Sequence, residues 1–194
     1  MQPLIYLASN SPRRRELLMQ IGVHHTVINV SVDETPMADE APAEYVIRMA
    51  LEKARAGVKK ADAHNLQPVL GADTAVVVNQ LILGKPKDRD NAIEMLMMLS
   101  NTTHKVLTGV AVIDQHEETR LSVSHVQFRA ISREEALAYW QSGEPADKAG
   151  GYAIQGVGAL FISRLEGSFS GVMGLPLFET SELLQRVGIA PLRC

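Results

Sequence analysis

Residues 68–78, PVLGADTAVVV, form the most apolar stretch of the chain and contain a single charged residue, Asp73. An apolar run of this length is typical of a strand that is buried inside a sheet. The residues that follow, Asn79-Gln80 and then LILGKP, predict a tight turn and an antiparallel return strand. The chain is therefore expected to fold around a sheet that includes this hairpin.

The rest of the chain alternates between strand-like and helix-like stretches, without repeats or low-complexity segments. Further strands are predicted over residues 4–8, 26–30, 105–113, 121–131 and 160–162. Helices are predicted from Ser11-Pro12, over 42–61 and 90–99, over 132–141 with a capping box, and after Pro176. Because hairpins interrupt a strict strand–helix alternation, the pattern predicts an α/β class with a mixed sheet.

The composition is that of an ordinary globular protein, with 46% hydrophobic and 21% charged residues. We expect one domain, residues 1–194, either compact or divided into two lobes around a central cleft. The net charge of −3 argues against a general nucleic-acid-binding surface. No apolar run approaches the roughly 20 residues that span a bilayer, and the first basic residues follow an apolar stretch instead of preceding it. A cytoplasmic protein without a membrane or stable nucleic-acid partner is expected.

Asp73 is the strongest candidate for chemistry, because a buried carboxylate is costly unless a cation, a metal or a reaction compensates it. A structural aspartate that accepts backbone hydrogen bonds is the alternative. Lys85 would face Asp73, or one of the two residues after it, across the hairpin; alternatively it is a solvated turn lysine. Lys53 falls in the apolar stripe of the second helix, so its ammonium group either reaches the surface or points into a polar pocket.

Residues 9–15, SNSPRRR, connect the first strand to the start of a helix. Helix N-termini bind anions, and arginine adds paired donors, so Ser11, Arg13 and Arg14 predict a triphosphate-binding loop. An exposed basic helix start is the alternative. Glu34 follows the second strand and offers the oxygen ligands that Mg²⁺ or Mn²⁺ prefers, although it could equally be a surface acid.

Residues 147–156, DKAGGYAIQG, predict an ordered loop, since paired glycines let the backbone approach a ligand closely. The amide of Gln155 has a donor and an acceptor, which complement the edge of uracil or thymine. A glutamine that holds the loop backbone in place is the alternative. The six histidines show no metal-binding spacing such as HExxH and are expected to be structural or surface residues.

Several short segments, taken together, resemble the Maf family of nucleoside triphosphate pyrophosphatases. They are LASNSPRR at 7–14, EKA at 52–54, GADT at 71–74, GKP at 84–86, TGV at 108–110, DKAGGYAIQG at 147–156 and GLPL at 174–177. Each segment alone is weak evidence. Together they span nearly the whole chain in the order that the family shows, which makes the resemblance specific.

The resemblance implies an elongated mixed β-sheet flanked by helices, similar to the inosine triphosphate pyrophosphatase fold, usually in a homodimer. It implies hydrolysis of dTTP and UTP between the α- and β-phosphates, with modified pyrimidine nucleotides as further candidate substrates and with a divalent metal, Mg²⁺ or Mn²⁺. The product would be a nucleoside monophosphate and pyrophosphate. Such a house-cleaning activity is also connected in this family with cell division.

The resemblance also assigns roles to residues, matched motif by motif. The catalytic residues would be Asp73, as proton acceptor, with Lys53 and Lys85. The substrate would be bound by Ser11, Arg13, Arg14, Thr74 and Gln155. The metal ligands would be Glu34 and Asp73. Among the substrate-binding residues, Arg13, Thr74 and Gln155 mark the branch of the family that acts on dTTP and UTP. Glu34 lies in the segment with the least specific sequence.

Two other functions are also compatible with the sequence. One is a nucleotide-binding regulator of septum formation without significant turnover. The other is a pyrophosphatase for non-standard purine nucleotides such as ITP. The charge-matched set of Asp73, Lys53 and Lys85 favours an enzyme, because a protein that only binds a nucleotide has no need of it.

Overall fold

The computed structural model describes residues 5–61 and 67–191. Its strands are β1 (Ile5–Leu7), β2 (His25–Val27), β3 (Val69–Val78), β4 (Leu81–Leu83), β5 (Thr103–Ile113), β6 (Glu117–Phe128) and β7 (Ile162–Glu166). Its α-helices are α1 (Pro12–Gln20), α2 (Pro42–Lys60), α3 (Arg89–Leu99), α4 (Arg133–Gln141), α5 (Phe169–Met173) and α6 (Leu177–Arg186). Short 3₁₀ helices cover Glu144–Asp147, Ala149–Gly151 and Val157–Phe161. None of the helices in the described ranges is long and apolar enough to cross a membrane.

The strands form a sheet in the order β2-β1-β3-β5-β6-β7, with β4 paired to β3. Strand β1 runs parallel to both β2 and β3, whereas β3 pairs with β4, and β6 with β7, in the antiparallel sense. The sheet is therefore mixed. The predicted α/β class and mixed sheet are confirmed.

The chain divides into two compact units. The first contains Met1–Asp73, Thr108–Ser122 and Gly174–Cys194, and the second contains Thr74–Leu107 and Val123–Met173. Strand β3 passes from the first unit to the second between Asp73 and Thr74.

In the first unit, helix α2 lies directly against the sheet because glycines leave room for its backbone. A Cβ atom added at Gly71 of β3 would lie 2.3 Å from the carbonyl oxygen of Ala50. One added at Gly109 of β5 would lie 2.4 Å from the carbonyl oxygen of Val46. Such separations are too short for any side chain, so glycine at these two positions sets the distance between the helix and the sheet.

In the second unit, an aromatic cluster fills the core beside α3 and α4. The ring of His104, which is 1% exposed, packs edge-on against Phe128 and Tyr152, with ring centroids 5.0 and 5.4 Å away. Its Nε2 atom lies 2.7 Å from the hydroxyl of Tyr152. Burial lowers the pKa of His104 to about 4. The prediction of a structural histidine is confirmed here, while His64 lies outside the described residues.

Several predicted boundaries need correction. The turn at Asn79-Gln80 is confirmed, with φ of 48° and 65°, but the return strand ends at Leu83. The strand that was predicted near residues 160–162 runs instead from Ile162 to Glu166, because a 3₁₀ helix occupies the residues before it. Helix α5 is too short to give a periodic pattern and was not predicted.

Candidate active site

The first unit brings Lys53, Asp73 and Glu34 together. The Nζ atom of Lys53 lies 2.6 Å from Oδ1 of Asp73 and 2.6 Å from Oε1 of Glu34. The side chains of Lys53 and Asp73 are only 12% and 11% exposed, whereas that of Glu34 is 55% exposed. The ammonium group of Lys53 therefore points into a polar site between two carboxylates instead of reaching outward along the helix.

The local packing explains why these side chains meet. Side chains alternate along a strand, so Asp73 faces the same side of β3 as Gly71, which is the side that α2 covers. A Cβ atom at Gly71 would contact the backbone of both Ala50 and Ala54. Lys53 immediately precedes Ala54 on the helix, and the close approach at Gly71 brings its long side chain within reach of Asp73.

The segment that carries Glu34 is fastened to α2 by two side chains. The hydroxyl of Tyr45 donates a 3.0 Å hydrogen bond to the carbonyl oxygen of Glu34. Arg48 donates to the carbonyl oxygen of Thr35 at 3.2 Å and, through Nε and Nη2, to both carboxylate oxygens of Glu40 at 2.5 and 2.7 Å. No sequence motif predicts these roles of Tyr45 and Arg48.

The protonation states of Tyr45, Arg48 and Glu40 agree with their roles as hydrogen-bond donors and acceptor. Burial, reinforced by the negative charges of Asp73 and Glu34, raises the pKa of Tyr45 to about 12. The hydroxyl therefore keeps its proton and remains a donor at neutral pH. Hydrogen bonding to Arg48 lowers the pKa of Glu40 to about 2, so that this pair stays ionised.

Arg14, in the first turn of α1, makes hydrogen bonds to Gly174 and Ser9. Its Nε donates to the carbonyl oxygen of Gly174 at 2.8 Å, and its Nη1 donates to the hydroxyl oxygen of Ser9 at 3.1 Å. Burial lowers the pKa of Arg14, whereas the negative charges of Asp73 and Glu34 act to raise it. Arg14 thus belongs to the same electrostatic neighbourhood as the two carboxylates.

The serines of the loop before α1 differ from expectation in one respect. Ser11 occupies the N-cap position of α1, but its hydroxyl makes no capping hydrogen bond. Ser9 organises the loop instead, since its hydroxyl oxygen also accepts from the backbone N–H of Ser11 at 3.2 Å. The role of Ser9 could not be predicted from the sequence, because a buried serine at the end of a strand has no spacing pattern of its own. Arg13, by contrast, is half-buried and lies close enough to lower the pKa of Arg14 by charge repulsion.

The second unit contains the other predicted residues, namely Thr74, Lys85 and Gln155. Lys85 is exposed and lies beyond the last pair of the hairpin, Val76 with Leu83. The expectation that the ladder would pair Lys85 with residues 73–75 is therefore wrong. The chain leaves the ladder at Gly84, whose carbonyl oxygen accepts from the N–H of Gly150 at 3.0 Å.

Gln155 lies on an exposed turn, and its side chain makes no hydrogen bond to any residue that the structure describes. The turn around it is held by the side chains of Tyr139 and Glu144. The alternative in which Gln155 itself fixes the loop backbone is therefore not supported. Thr74 is half-buried and directly follows Asp73 in β3.

The acidic groups of the first unit fit a hard divalent cation. Asp73 and Glu34 each place an oxygen 2.6 Å from one cationic atom, so both carboxylates already converge on a positive charge. Within residues 5–61 and 67–191 no group of three His, Cys, Asp or Glu side chains could hold a metal. A pair of carboxylates suits Mg²⁺ or Mn²⁺, which keep waters and substrate phosphates in the remaining positions.

Comparison with known proteins decides the family. The profile of a family described as Maf-like protein matches residues 4–187. The chain belongs to the Maf family. The resemblance predicted from the short motifs is thereby confirmed.

Individual Maf relatives are similar over almost their whole length. A protein named dTTP/UTP pyrophosphatase from Alkalilimnicola ehrlichii is 58% identical over 191 residues, which cover 97% of this chain and 95% of that protein. A protein of the same name from Saccharophagus degradans is 54% identical over 182 residues, which cover 93% of this chain and 87% of that protein. Among solved structures, a nucleoside-triphosphatase described as a dITP/XTP pyrophosphatase from Mycobacterium abscessus aligns with a TM-score of 0.42 at 19% identity. That alignment covers 66% of this Maf chain and 74% of the other.

Proposed function

We propose that this Maf protein hydrolyses dTTP and UTP between the α- and β-phosphates, releasing a nucleoside monophosphate and pyrophosphate. The observation that carries the proposal is the nearly buried pair of Lys53 and Asp73, with Glu34 beside it. A carboxylate with an ammonium group at 2.6 Å supplies both a proton acceptor and a positive charge at one place. The similarity to proteins named dTTP/UTP pyrophosphatase supports the choice of substrate.

In this mechanism Asp73 accepts a proton from the water that attacks the α-phosphorus. A bond forms between the water oxygen and the α-phosphorus, the bond to the bridging oxygen breaks, and pyrophosphate leaves. The ammonium group of Lys53 and the guanidinium groups of Arg13 and Arg14 neutralise the charge that develops on the phosphate oxygens. The family resemblance assigns Lys85, in the second unit, to catalysis as well. The hydroxyl of Ser11, which makes no capping bond, is a further donor to the phosphates.

A divalent cation, Mg²⁺ or Mn²⁺, belongs to this proposal, with Glu34 and Asp73 as its protein ligands. When bound, such an ion neutralises phosphate charge and acts as a Lewis acid. Asp73 therefore has two candidate roles, as proton acceptor and as metal ligand. Since Lys53 contacts both carboxylates, its single positive charge offsets one of their two negative charges before the substrate arrives.

The family resemblance assigns the choice of base to Arg13, Thr74 and Gln155. The side-chain amide of Gln155 is exposed and makes no hydrogen bond to the described residues, so both its donor and its acceptor are available to a base. A pyrimidine such as uracil or thymine presents complementary groups. A homodimeric state and a cytoplasmic location complete the proposal, and sedimentation velocity of the purified protein tests the first.

A substrate panel tests the proposal. Pyrophosphate release is measured with dTTP, UTP, ITP and 7-methyl-GTP, in Mg²⁺, in Mn²⁺ and with excess EDTA. We expect kcat/KM to be highest for dTTP and UTP and activity to be lost with EDTA. A preference for ITP would assign the enzyme to non-standard purine nucleotides. Binding of dTTP without release of pyrophosphate would contradict the enzymatic proposal and support a regulatory protein.

A further inference from the structure

The turn that carries Gln155 is wrapped around two side chains of the second unit, Glu144 and Tyr139. The carboxylate of Glu144 accepts from the backbone N–H of Val157 at 2.9 Å and of Gly158 at 3.0 Å. The hydroxyl of Tyr139 donates to the same carboxylate at 2.5 Å. These bonds fix the backbone on the C-terminal side of Gln155.

The same hydroxyl fixes the backbone on the other side of the turn. The N–H of Ala153 donates a 3.1 Å hydrogen bond to the Tyr139 oxygen. Tyr139 therefore accepts from the residue two positions before Gln155, while its proton goes to Glu144. Neither bond involves the side chain of Gln155, so the glutamine amide is left to a ligand while the turn beneath it is held.

Two glycines show how closely the turn fits these groups. A Cβ atom added at Gly156 would lie 2.2 Å from a carboxylate oxygen of Glu144. One added at Gly158 would lie 2.6 Å from the Tyr139 hydroxyl and 2.8 Å from the carbonyl oxygen of Ala153. The backbone therefore approaches the two side chains as closely as only glycine allows.

Both side chains are themselves well fixed. Tyr139 is 3% exposed, and its ring packs edge-on against Phe161 at 5.1 Å between centroids. Burial by itself raises the pKa of Glu144, but the hydrogen bonds from Tyr139 and from the turn outweigh it and lower that pKa. Glu144 is therefore a charged acceptor at neutral pH, and hydrogen bonds to a charged group are the stronger kind.

We propose that Glu144 and Tyr139 are positioning residues for base selection, which hold the turn so that Gln155 presents its amide at a fixed place. The inference rests on the proposed role of Gln155 in reading the base. A side chain that recognises a base by two directed hydrogen bonds must be placed within about half an ångström, and here the rigidity comes from the residues beneath the turn.

The test uses the full-length protein and two substrates, dTTP and ITP. Tyr139→Phe removes the hydroxyl and keeps the ring in the core, and Glu144→Ala removes the carboxylate. For each we expect KM for dTTP to rise about tenfold, the effect of losing one good hydrogen bond, with kcat little changed. The ratio of kcat/KM for dTTP to that for ITP should fall by a similar factor.

Tyr152→Phe is the matched control. It removes another buried tyrosine hydroxyl of the same unit, one whose hydrogen-bond partner is His104 and which, within residues 5–61 and 67–191, makes no hydrogen bond to the turn after Gln155. We expect it to lower the thermal midpoint as Tyr139→Phe does, but to leave the dTTP/ITP ratio unchanged. If the dTTP/ITP ratio falls only because the protein is less stable, it should fall in Tyr152→Phe as well. That result would overturn the positioning role.

The Gln155→Ala variant separates the proposed role of Gln155 in reading the base from the positioning role of Glu144 and Tyr139. If Gln155→Ala removes the preference for dTTP while folded Tyr139→Phe and Glu144→Ala proteins retain it, the positioning role is overturned and the role of Gln155 stands. If Gln155→Ala itself leaves the preference intact, the proposed role of Gln155 fails and the positioning role fails with it. In support of the inference, adding Gln155→Ala to Tyr139→Phe should cause little further loss of selectivity.

Discussion

The Nζ atom of Lys53 lies 2.6 Å from Oδ1 of Asp73, although the two residues are 20 positions apart in the chain. The pair joins the middle of helix α2 to the middle of strand β3 in a place that is nearly closed to solvent. The carboxylate of Asp73 is thus compensated by an ammonium group, and among the described residues no backbone N–H donates to it as it would to a purely structural aspartate. Its partner, Lys53, contacts Glu34 as well.

Replacing Lys53 by Met should remove most of the activity. The variant keeps an unbranched side chain that is one atom shorter, but leaves the two carboxylates without their shared cation. We expect kcat to fall by about 10²–10³-fold, as when one electrostatic donor is lost from an active site. Stability should fall by about 1–3 kcal/mol, because a nearly buried carboxylate loses its partner.

The matched control for this change is Lys59→Met. Lys59 is exposed near the end of the same helix, where it lies among solvated residues. Steady-state hydrolysis of dTTP and urea unfolding should both match the unmodified protein. Equal losses in the two variants would show that the effect is one of helix composition and not of the contact with Asp73.

Gly71→Ala should destabilise the protein, because the new methyl group would lie 2.3 Å from the carbonyl oxygen of Ala50. The helix backbone must move to admit it, at a cost of about 1–3 kcal/mol or more. This movement carries Lys53 away from Asp73, so activity should fall as well. Gly84→Ala is the control for stability, since no atom of the described residues lies within 4 Å of the added atom, apart from the two chain neighbours of Gly84. Comparable thermal midpoints for the two variants would contradict the packing of α2 on β3.

The fold could be predicted largely from the sequence because its signals are local. The apolar run of β3, the Asn79-Gln80 turn and the capping box of Ser132 with Glu135 each act over a few residues, and the structure contains all three. The length of β4 could not be predicted in this way. It depends on where Gly84 leaves the ladder to bond with Gly150, which is a contact between distant parts of the chain.

The candidate site was predictable only in part. Asp73 and Lys53 were found because each is a charge in an apolar pattern. Ser9, Tyr45 and Arg48 were missed, since a hydrogen bond to a distant carbonyl or hydroxyl has no periodicity in the sequence. The role of Gly71 was also hidden, because a glycine in a strand does not reveal which backbone approaches it.

The pH dependence of stability should reveal His104. Its pKa is lowered by burial from 6.5 to about 4, and its Nδ1 atom is buried without a hydrogen-bond partner among the described residues. Below pH 6.5 this histidine is protonated in the unfolded chain but stays neutral in the folded protein until the pH nears 4. The free energy of unfolding therefore decreases as the pH drops from 6.5 and levels off below about pH 4. The contribution of this group reaches about 3 kcal/mol.

His104→Gln isolates that contribution, because glutamine does not titrate. Unfolding by urea is measured for both proteins between pH 7.5 and 4. The difference in their free energies of unfolding should change across this range, with the unmodified protein losing more stability toward acid. Parallel curves would mean that His104 is protonated as easily in the folded state as in the unfolded one.

The most direct test of the whole account is the rate of pyrophosphate release from dTTP by Asp73→Asn in the presence of Mg²⁺. Asparagine has the same shape and can still accept a hydrogen bond from Lys53, so the variant should fold and its thermal midpoint should stay close to that of the unmodified protein. We predict that kcat falls by about 10³-fold, because the group that accepts the proton is lost. Hydrolysis at close to the normal rate by a folded Asp73→Asn protein would contradict the central place of Asp73.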